Sequence, residues 1–396
     1  MTARQQPILP GSKRGKLEVT LRATGDDRHQ IFLIAGLIAL DEAGEIDLRV
    51  VSRGPRIHDR VVVTGDTCAR IARPYPWSYR LDVRDPRSGR TVRAAVDLQD
   101  WKHFFSHGDL SSCEVLFKRS YDLKTAGVVA SKYGVKVVPG GMTHSAKIGE
   151  KYAKVLSAAR LAGKVEALVT GPKRGIDALG NMLFKRKATA AGPQKKATPV
   201  AHAPDDLGDF AFFQIACHGN GDWKEAEQLN RERADLIRTM RASLGSRFQG
   251  GMYFDGPPRP EFADTLTNLP STPQEYMRIV NQAAVGISTN GFGESFPWKL
   301  CEYLSLGKCI VTQRPAFPLP TPITPGKEAV FFDTLDDCAR LCAQLLADPA
   351  ARQKMATAAR EYYANHVAPI SVARRYVTTA LEFIREPATG AKAALT

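Results

Sequence analysis

The spacing of hydrophobic positions changes along the chain. Lys16 to Leu21 alternates as a strand does, and the stretch from about Arg28 to Ala43 has the apolar continuity of a buried helix. Thr24-Gly25-Asp26-Asp27 lies between them as a turn that can cap that helix, and Asp47 to Ser52 is the next strand. A strand, helix and strand in this order predict the start of a Rossmann-like unit. The middle is less regular. Val61-Val62-Val63, Ser78 to Val83, Thr91 to Asp97, Glu114 to Lys118 and Tyr133 to Val138 read as strands around Gly, Pro and Asp turns. A helical pattern follows near Ile148 to Ala162.

The second half alternates more cleanly. Ala211 to Ala216, Arg247 to Phe254, Val285 to Thr289, Cys309 to Val311 and Ala329 to Phe332 are β-prone runs. Between and after them come helical patterns at Trp223 to Arg241, from a cap at Ser271 or Thr272 to about Gln282, at Trp298 to Leu306, at Leu335 to Ala347 and at Pro349 to Asn365. Gly307 is placed to end the third of these. Strand and helix at this pitch predict a parallel, doubly wound α/β sheet. A last helix, about Ile370 to Arg385, follows Pro369.

Composition narrows the class. A length of 396 residues suggests two domains, and 43% hydrophobic with 24% charged residues is the balance of a soluble globular protein. The longest apolar run, Ile31 to Leu40, has ten residues. A membrane helix needs about 20, and no signal-peptide cleavage pattern accompanies the run. Seven cysteines (Cys68, Cys113, Cys217, Cys301, Cys309, Cys338, Cys342) are scattered, with no zinc or disulfide spacing, which points to a reducing cytosol.

The net charge of +14 asks for an acidic partner or serves solubility alone. Basic residues are mostly dispersed, without aromatic interleaving, so a nucleic-acid partner is not expected. The one basic run, residues 173–196, carries Lys173, Arg174, Lys185, Arg186, Lys187, Lys195 and Lys196 against Asp177. Gly192-Pro193 and Pro199 through Pro204 mark its far end as a linker. It is either a mobile linker or a patch facing a membrane or an acceptor. No nucleophile elbow with a Ser-His-Asp set and no Walker loop is present.

The densest chemistry lies at Glu294-Ser295-Phe296-Pro297-Trp298-Lys299-Leu300-Cys301-Glu302, where two glutamates have seven residues between them. Asn290-Gly291-Phe292-Gly293 puts Glu294 in a turn-rich loop after a strand, and Glu302 falls in the first turns of a helix. Loops at the carboxyl ends of strands are where α/β sheets bind ligands. A plain amphipathic helix with solvated glutamates is the simpler alternative.

This stretch resembles the signature of retaining GT-B glycosyltransferases of the group 1, family 4-like kind, in which two glutamates flank seven residues. The match to the Pro-x-Lys-Leu-x-Glu-Tyr-Leu variant runs through Pro297, Lys299, Leu300, Glu302, Tyr303 and Leu304. The resemblance implies that Glu294 meets the donor sugar, that Glu302 meets the ribose, and that Lys299 and the helix amides after Ser295, Phe296 and Pro297 serve the diphosphate. Lys299 could equally be a snorkelling helix residue. The family places an arginine and then a lysine in the loop after the first strand of the second domain. In Cys217-His218-Gly219-Asn220-Gly221-Asp222-Trp223-Lys224 the lysine is matched by Lys224, the arginine is absent, and His218 stands near its place. Gly219 and Gly221 would let backbone amides approach an anion.

A histidine of the first domain is often near the donor sugar in such enzymes, and among His103, His107 and His144 the last is best placed, after Gly140-Gly141-Met142-Thr143. Asp97, Asp100 and Lys118-Arg119-Ser120-Tyr121-Asp122 bind acceptor or cap turns. The Asp-x-Asp metal motif of the other main glycosyltransferase fold is missing, so neither a metal nor a cofactor is implied.

The expectation is an α/β protein of GT-B type. Two Rossmann-like domains, 1–200 for the acceptor and 205–368 for the nucleotide sugar, would face a cleft, with 369–396 as a helix crossing back to the first domain and a tail. It would be a hexosyltransferase-type enzyme of polysaccharide biosynthesis. It would be cytoplasmic, with peripheral contact at an anionic inner membrane face, and its partners would be a nucleotide-sugar donor and a glycan or lipid-linked acceptor. Two alternatives stand beside it: a nucleotide-sugar epimerase on the same plan, and a binding protein that has lost transfer.

Overall fold

The computed structural model describes residues 15–23, 30–52, 59–75, 77–146, 148–149, 153–154, 157, 207–218, 224–254 and 259–385. The turn at 24–27, the basic run at 173–196 and most of the helical pattern at 148–162 lie outside the described residues. The chain divides into two compact units, Met1–Thr198 with Pro369–Thr396, and Pro199–Ala368.

In the first unit, β1 (Leu17–Ala23) leads through α1 (Gln30–Glu42) to β2 (Ile46–Ser52), which pairs with β1 in parallel. This is the strand, helix and parallel strand expected from the period change. The sheet then becomes mixed. It runs β2-β1-β5-β6-β8-β9, with β5 (Ser78–Arg84) and β6 (Thr91–Asp97) forming an antiparallel hairpin, and β8 (Val115–Lys118) and β9 (Lys136–Pro139) continuing in parallel. A three-stranded antiparallel sheet, in the order β4-β3-β7, holds β3 (Asp59–Thr64), β4 (Thr67–Pro74) and β7 (Phe104–Ser106), after which comes α2 (His107–Leu110).

The segment Tyr133 to Val138 is not one strand. Tyr133 ends α3 (Leu123–Tyr133), Gly134 turns the chain at φ 65°, and pairing starts only at Lys136. Asp122, a candidate ligand contact, is the N-cap of this helix and accepts from the Thr125 amide at 2.9 Å.

The second unit is a five-stranded parallel sheet in the order β11-β10-β12-β13-β14. Its strands are β10 (Ala211–Ala216), β11 (Phe248–Tyr253), β12 (Val285–Ser288), β13 (Cys309–Gln313) and β14 (Val330–Phe332). Its helices are α4 (Lys224–Leu244), α5 (Pro273–Gln282), α6 (Trp298–Leu306), α7 (Leu335–Ala347) and α8 (Pro349–Tyr362). Thr272 caps α5 by position only, its side chain making no capping bond ahead of Pro273. The pattern read as helix to Asn365 leaves α geometry at Tyr362 and finishes as a π turn, Tyr363–Val367.

α9 (Pro369–Arg385) belongs to the first unit, so the chain crosses back as expected. Its apolar face, with Val372, Tyr376, Val377, Ala380 and Leu381, joins the core made by α1 and the mixed sheet. Tyr376 stacks on Phe117 at 4.1 Å and donates to the Gly140 carbonyl at 2.8 Å. Gly36 makes the crossing possible. A Cβ there would sit 2.0 Å from the Pro369 carbonyl oxygen, far inside contact distance.

Candidate functional site

The site is built from the carboxyl edge of the second unit's sheet. After β12 the chain folds into a tight loop. The Asn290 amide donates to Gln313 Oε1 at 2.7 Å, the Gly291 amide to the Ser295 carbonyl at 2.9 Å, and the Ser295 amide to the Phe292 carbonyl at 3.0 Å. Gly293 and Glu294 both adopt left-handed backbone, with φ 56° and 62°. Glu294 is the one non-glycine residue with positive φ among the described residues. Such a conformation costs about 1 to 3 kcal/mol and persists only where its surroundings hold it, as at ligand sites. Here Phe296 supplies the anchor, 1% exposed and against the Phe317 ring. The outcome is an exposed Glu294 beside a buried Ser295 and Phe296. Ser295 and Phe296 therefore offer a ligand mainly backbone.

Pro297 is the N-cap of α6, and no side chain caps the first amides of this helix. An uncapped N-terminus attracts an anion. Lys299 and Glu302 stand one turn apart on α6. The Lys299 ammonium donates to the Tyr276 hydroxyl at 3.1 Å and lies 4.7 Å from the centre of that ring. Burial pulls its pKa down to about 8, Glu302 opposes that shift, and Arg233 adds to it. Burial raises the Glu302 carboxyl and Lys299 pulls it back. The two charges steady each other without closing into an ion pair within 4.0 Å among the described residues.

On the other side of the sheet edge, His218 follows β10. Its amide donates to Asn230 Oδ1 at 3.0 Å and its carbonyl accepts from Asn230 Nδ2 at 2.9 Å, so α4 clamps the start of the loop. The ring packs on Phe292 at 4.3 Å, and Nε2 meets Arg233 Nη1 at 2.9 Å. Burial, then the neighbouring Arg233, lowers His218 to about 4, so the ring is neutral and accepts from the guanidinium. Arg233 itself is 5% exposed, and burial draws its pKa down to about 10.

The structure thus brings together Glu302, Lys299 and His218, with Glu294 at the loop tip. Beside His218, where the loop lacks the expected arginine, stands Arg233 of α4, which the sequence analysis did not single out. A signal existed: Ala226, Asn230, Arg233, Ala234, Ile237 and Met240 form one buried helical stripe, and two of its members are polar. Gly219 and the Lys224 side chain lie outside the described residues.

His144 lies in the first unit. Its ring meets Phe32 edge-on at 5.0 Å, and burial lowers its pKa to about 4. The acceptor candidates Asp97 and Lys118 form a buried pair at 3.2 Å. Asp97 also accepts from the Tyr75 hydroxyl, and Lys118 donates to the Phe104 carbonyl at 2.8 Å. Arg119, 2% exposed, pairs with Asp100. These four residues tie the carboxyl edge of the first sheet together.

Residues 200–377 match the family described as Glycosyl transferase-like. The glycosyl transferase-like region spans the whole site in the second unit. No curated protein matches this sequence. Among solved structures, the chain is similar to a UDP-GlcNAc 2-epimerase from Neisseria meningitidis bound to UDP-GlcNAc, with 16% identity, 68% of this chain and 62% of that one covered, and a TM-score of 0.33. It is similar to a mutant of S. aureus TarM in complex with Fondaparinux, alpha-GlcNAc-glycerol and UDP, with 10% identity, coverages of 77% and 64%, and a TM-score of 0.32. A glycosyltransferase from Rickettsia africae gives 12%, 69%, 78% and 0.33. The chain spans less than two thirds of the length of the first two.

No helix among the described residues is long and apolar enough to cross a membrane.

Proposed function

We propose that this chain transfers a sugar from a nucleotide-sugar donor to a hydroxyl of a glycan, lipid-linked or small-molecule acceptor, with retention at the anomeric carbon, on a GT-B plan. The observation that carries the reading is the Lys299–Glu302 pair on the uncapped first turns of α6. It puts a cation and a carboxylate one turn apart at the carboxyl edge of a parallel sheet. A nucleoside diphosphate needs both: a cation and helix amides for its phosphates, and a carboxylate to accept from the ribose hydroxyls.

In the proposed reaction the bond from the anomeric carbon to the diphosphate breaks, and its electron pair leaves with the phosphate oxygen. Lys299, Arg233 and the α6 amides stabilise that negative charge. Glu294 accepts from sugar hydroxyls and offsets positive charge on the ring. The acceptor oxygen bonds to the anomeric carbon on the same face and gives its proton to the departing diphosphate. The first unit receives the acceptor, and neutral His144 is its candidate hydrogen-bonding group for the sugar. Because protein cations meet the phosphates, transfer is proposed to need no metal and no cofactor. Activity in excess EDTA tests this, and a loss restored by magnesium or manganese contradicts it.

The net charge of +14 fits an anionic acceptor or a peripheral membrane contact, which flotation with phosphatidylglycerol vesicles tests. The reaction itself is tested by incubating the protein with UDP-, GDP-, ADP-, CMP- and TDP-sugars, with and without acceptors. Transfer supports the proposal, while epimerisation of the donor without acceptor overturns it.

A further inference from the structure

The loop that carries Glu294 runs from Asn290 to Phe296, and both of its ends are fastened to the chain that leaves β13. At the first end, the Asn290 amide donates to Gln313 Oε1 at 2.7 Å, and Asn290 Nδ2 donates to the Arg314 carbonyl at 3.2 Å. At the second, the buried Phe296 ring meets the buried Phe317 ring edge-on at 6.2 Å. Glu294 lies between these two fastenings. A further contact, of Phe292 with the His218 ring at 4.3 Å, closes the loop from the β10 side. Inside the loop, the bonds from the Gly291 amide to Ser295 and from the Ser295 amide to Phe292 set its shape. The contacts with residues 313–317 set its place on the sheet edge.

The fastening segment is itself stiff. Pro315, Pro318, Pro320, Pro322 and Pro325 follow one another closely, and each fixes its own φ near about −65°. Phe317, Leu319 and Ile323 are buried among them. The Tyr362 hydroxyl of α8 donates to the Thr321 carbonyl, and buried Glu328 accepts from the Thr324 amide at 2.7 Å. A segment already ordered in this way loses little more freedom by holding a neighbour. Glu294 needs such a hold. Its φ of 62° is unfavourable for a residue with a Cβ, so released it would relax and its carboxylate would swing away. A backbone amide can only donate, so the Gln313 atom facing Asn290 has to be an acceptor. Glutamate can supply one there and leucine cannot.

We propose that Gln313 is a positioning residue for the transfer reaction, acting with Phe317 to hold Glu294 in the left-handed conformation that aims its carboxylate at the donor sugar. The last step, contact of Glu294 with the sugar, rests on the reading above; the holding of the loop stands on the geometry alone. Two tasks are thereby divided along one sheet edge. Lys299 and Glu302 on α6 serve the nucleotide end of the donor, and the chain after β13 governs the sugar end through Glu294. Changes at Gln313 therefore alter the fate of the sugar and leave nucleotide binding nearly as it was.

The test uses the full chain as wild type, Gln313→Leu, Gln313→Glu, Glu294→Gln, and Gln313→Leu combined with Glu294→Gln. Hydrogen exchange needs no ligand. In Gln313→Leu the Gly291 and Ser295 amides should exchange about tenfold faster or more, amides in the middle of α6 should not change, and Gln313→Glu should behave as wild type. The donor probes are UDP-, GDP-, ADP-, CMP- and TDP-sugars, each beside its free nucleotide. Gln313→Leu should slow transfer at saturating donor about tenfold to a hundredfold, with affinity for the free nucleotide kept within about twofold. Gln313→Glu should recover most of the rate. Added to Glu294→Gln, Gln313→Leu should cost little more, because it acts through that carboxylate. A merely structural role would lower rate and nucleotide affinity together and add its full loss in the combined variant, which overturns the positioning role. Unchanged exchange at Gly291 and Ser295 in Gln313→Leu also overturns it, whatever the donor. So does a wild-type rate in Gln313→Leu where Glu294→Gln is slow, which leaves the proposed function standing. Wild type that binds no nucleotide and transfers no sugar overturns the proposed function, while exchange still decides whether Gln313 holds the loop.

Discussion

Lys299 Nζ sits 3.1 Å from the Tyr276 hydroxyl, a hydrogen bond that joins α6 to α5 and fixes a cation at the head of the helix. Tyr276 in turn packs on Phe212 of β10 at 5.8 Å, so the lysine is held by the core. A cation positioned in this way loses less freedom on meeting an anion than a free surface lysine.

This lysine predicts how binding depends on pH. Its pKa is lowered from 10.5 to about 8. Below that value it is charged, as the proposed contact with phosphate requires; above it the charge is lost. Affinity for a nucleoside diphosphate should therefore be level below about pH 8 and fall by up to about tenfold per unit above it. Binding near pH 8 should take up protons, because the anion raises the lysine's pKa. Lys299→Arg should keep the affinity and remove the pH dependence, and Lys299→Met should lose both. A flat profile to pH 9.5 in wild type contradicts the assignment.

Glu302→Gln tests contact and charge together. Loss of a charged hydrogen bond to the ribose is worth roughly 1.5 to 3 kcal/mol, or about tenfold to a hundredfold in affinity. Glu302 also opposes the downward shift of Lys299. Its removal should move the pH midpoint of binding below 8, which a role confined to the ribose leaves unchanged.

Glu294 separates stability from chemistry. With φ at 62°, Glu294→Gly should keep or raise the melting temperature, because glycine adopts this backbone freely, while a β-branched valine should lower it. Glu294→Gln should leave nucleoside diphosphate affinity nearly unchanged yet slow transfer about a hundredfold, if the carboxylate acts mainly as charge develops on the sugar. An equal loss in both measurements argues against contact with the sugar.

His144 and His218 predict stability against acid. Both have pKa values lowered from 6.5 to about 4 by burial. The unfolded chain takes up these protons first, so their contribution is complete above pH 6.5 and declines as pH falls towards 4. Replacing either with glutamine should flatten the slope of unfolding free energy against pH in that window by up to one proton. Urea melts at pH 7, 5.5 and 4.5 measure it, and unchanged slopes in both variants contradict the burial.

Gly286 positions the site from below. A Cβ on this β12 residue would meet the Tyr303 ring at 2.9 Å, and that ring is fully buried. Gly286→Ala should cost about 1 to 3 kcal/mol through overpacking and should weaken donor binding by displacing the neighbouring Glu302.

Much of the second unit was legible because local signals agreed. α6 begins at Trp298 after Pro297 and ends at Leu306 before Gly307, which takes φ 60°, so the two boundary residues mark what they usually mark. α7 was legible for a similar reason, with Thr334 as a side-chain cap. In the first unit the signals were short-range and ambiguous. β4 and β7 carry no clean alternation, and α3 was hidden because Lys118 to Asp122 drew attention as possible chemistry while Asp122 was a cap. Arg233 stayed hidden for another reason. It lies inside a highly charged helix that masks its stripe with Asn230, Ala234 and Ile237, and the meeting of α4 with the end of β10 shows that this stripe faces His218.

The most direct measurement is calorimetric titration of wild type, Lys299→Met and Glu302→Ala with UDP, GDP, ADP, CMP and TDP at pH 7. The proposed donor site predicts that at least one nucleotide binds wild type, with the affinity reduced about tenfold or more in each variant while both remain folded. Failure of every nucleotide to bind wild type, or equal binding by all three proteins, would contradict it.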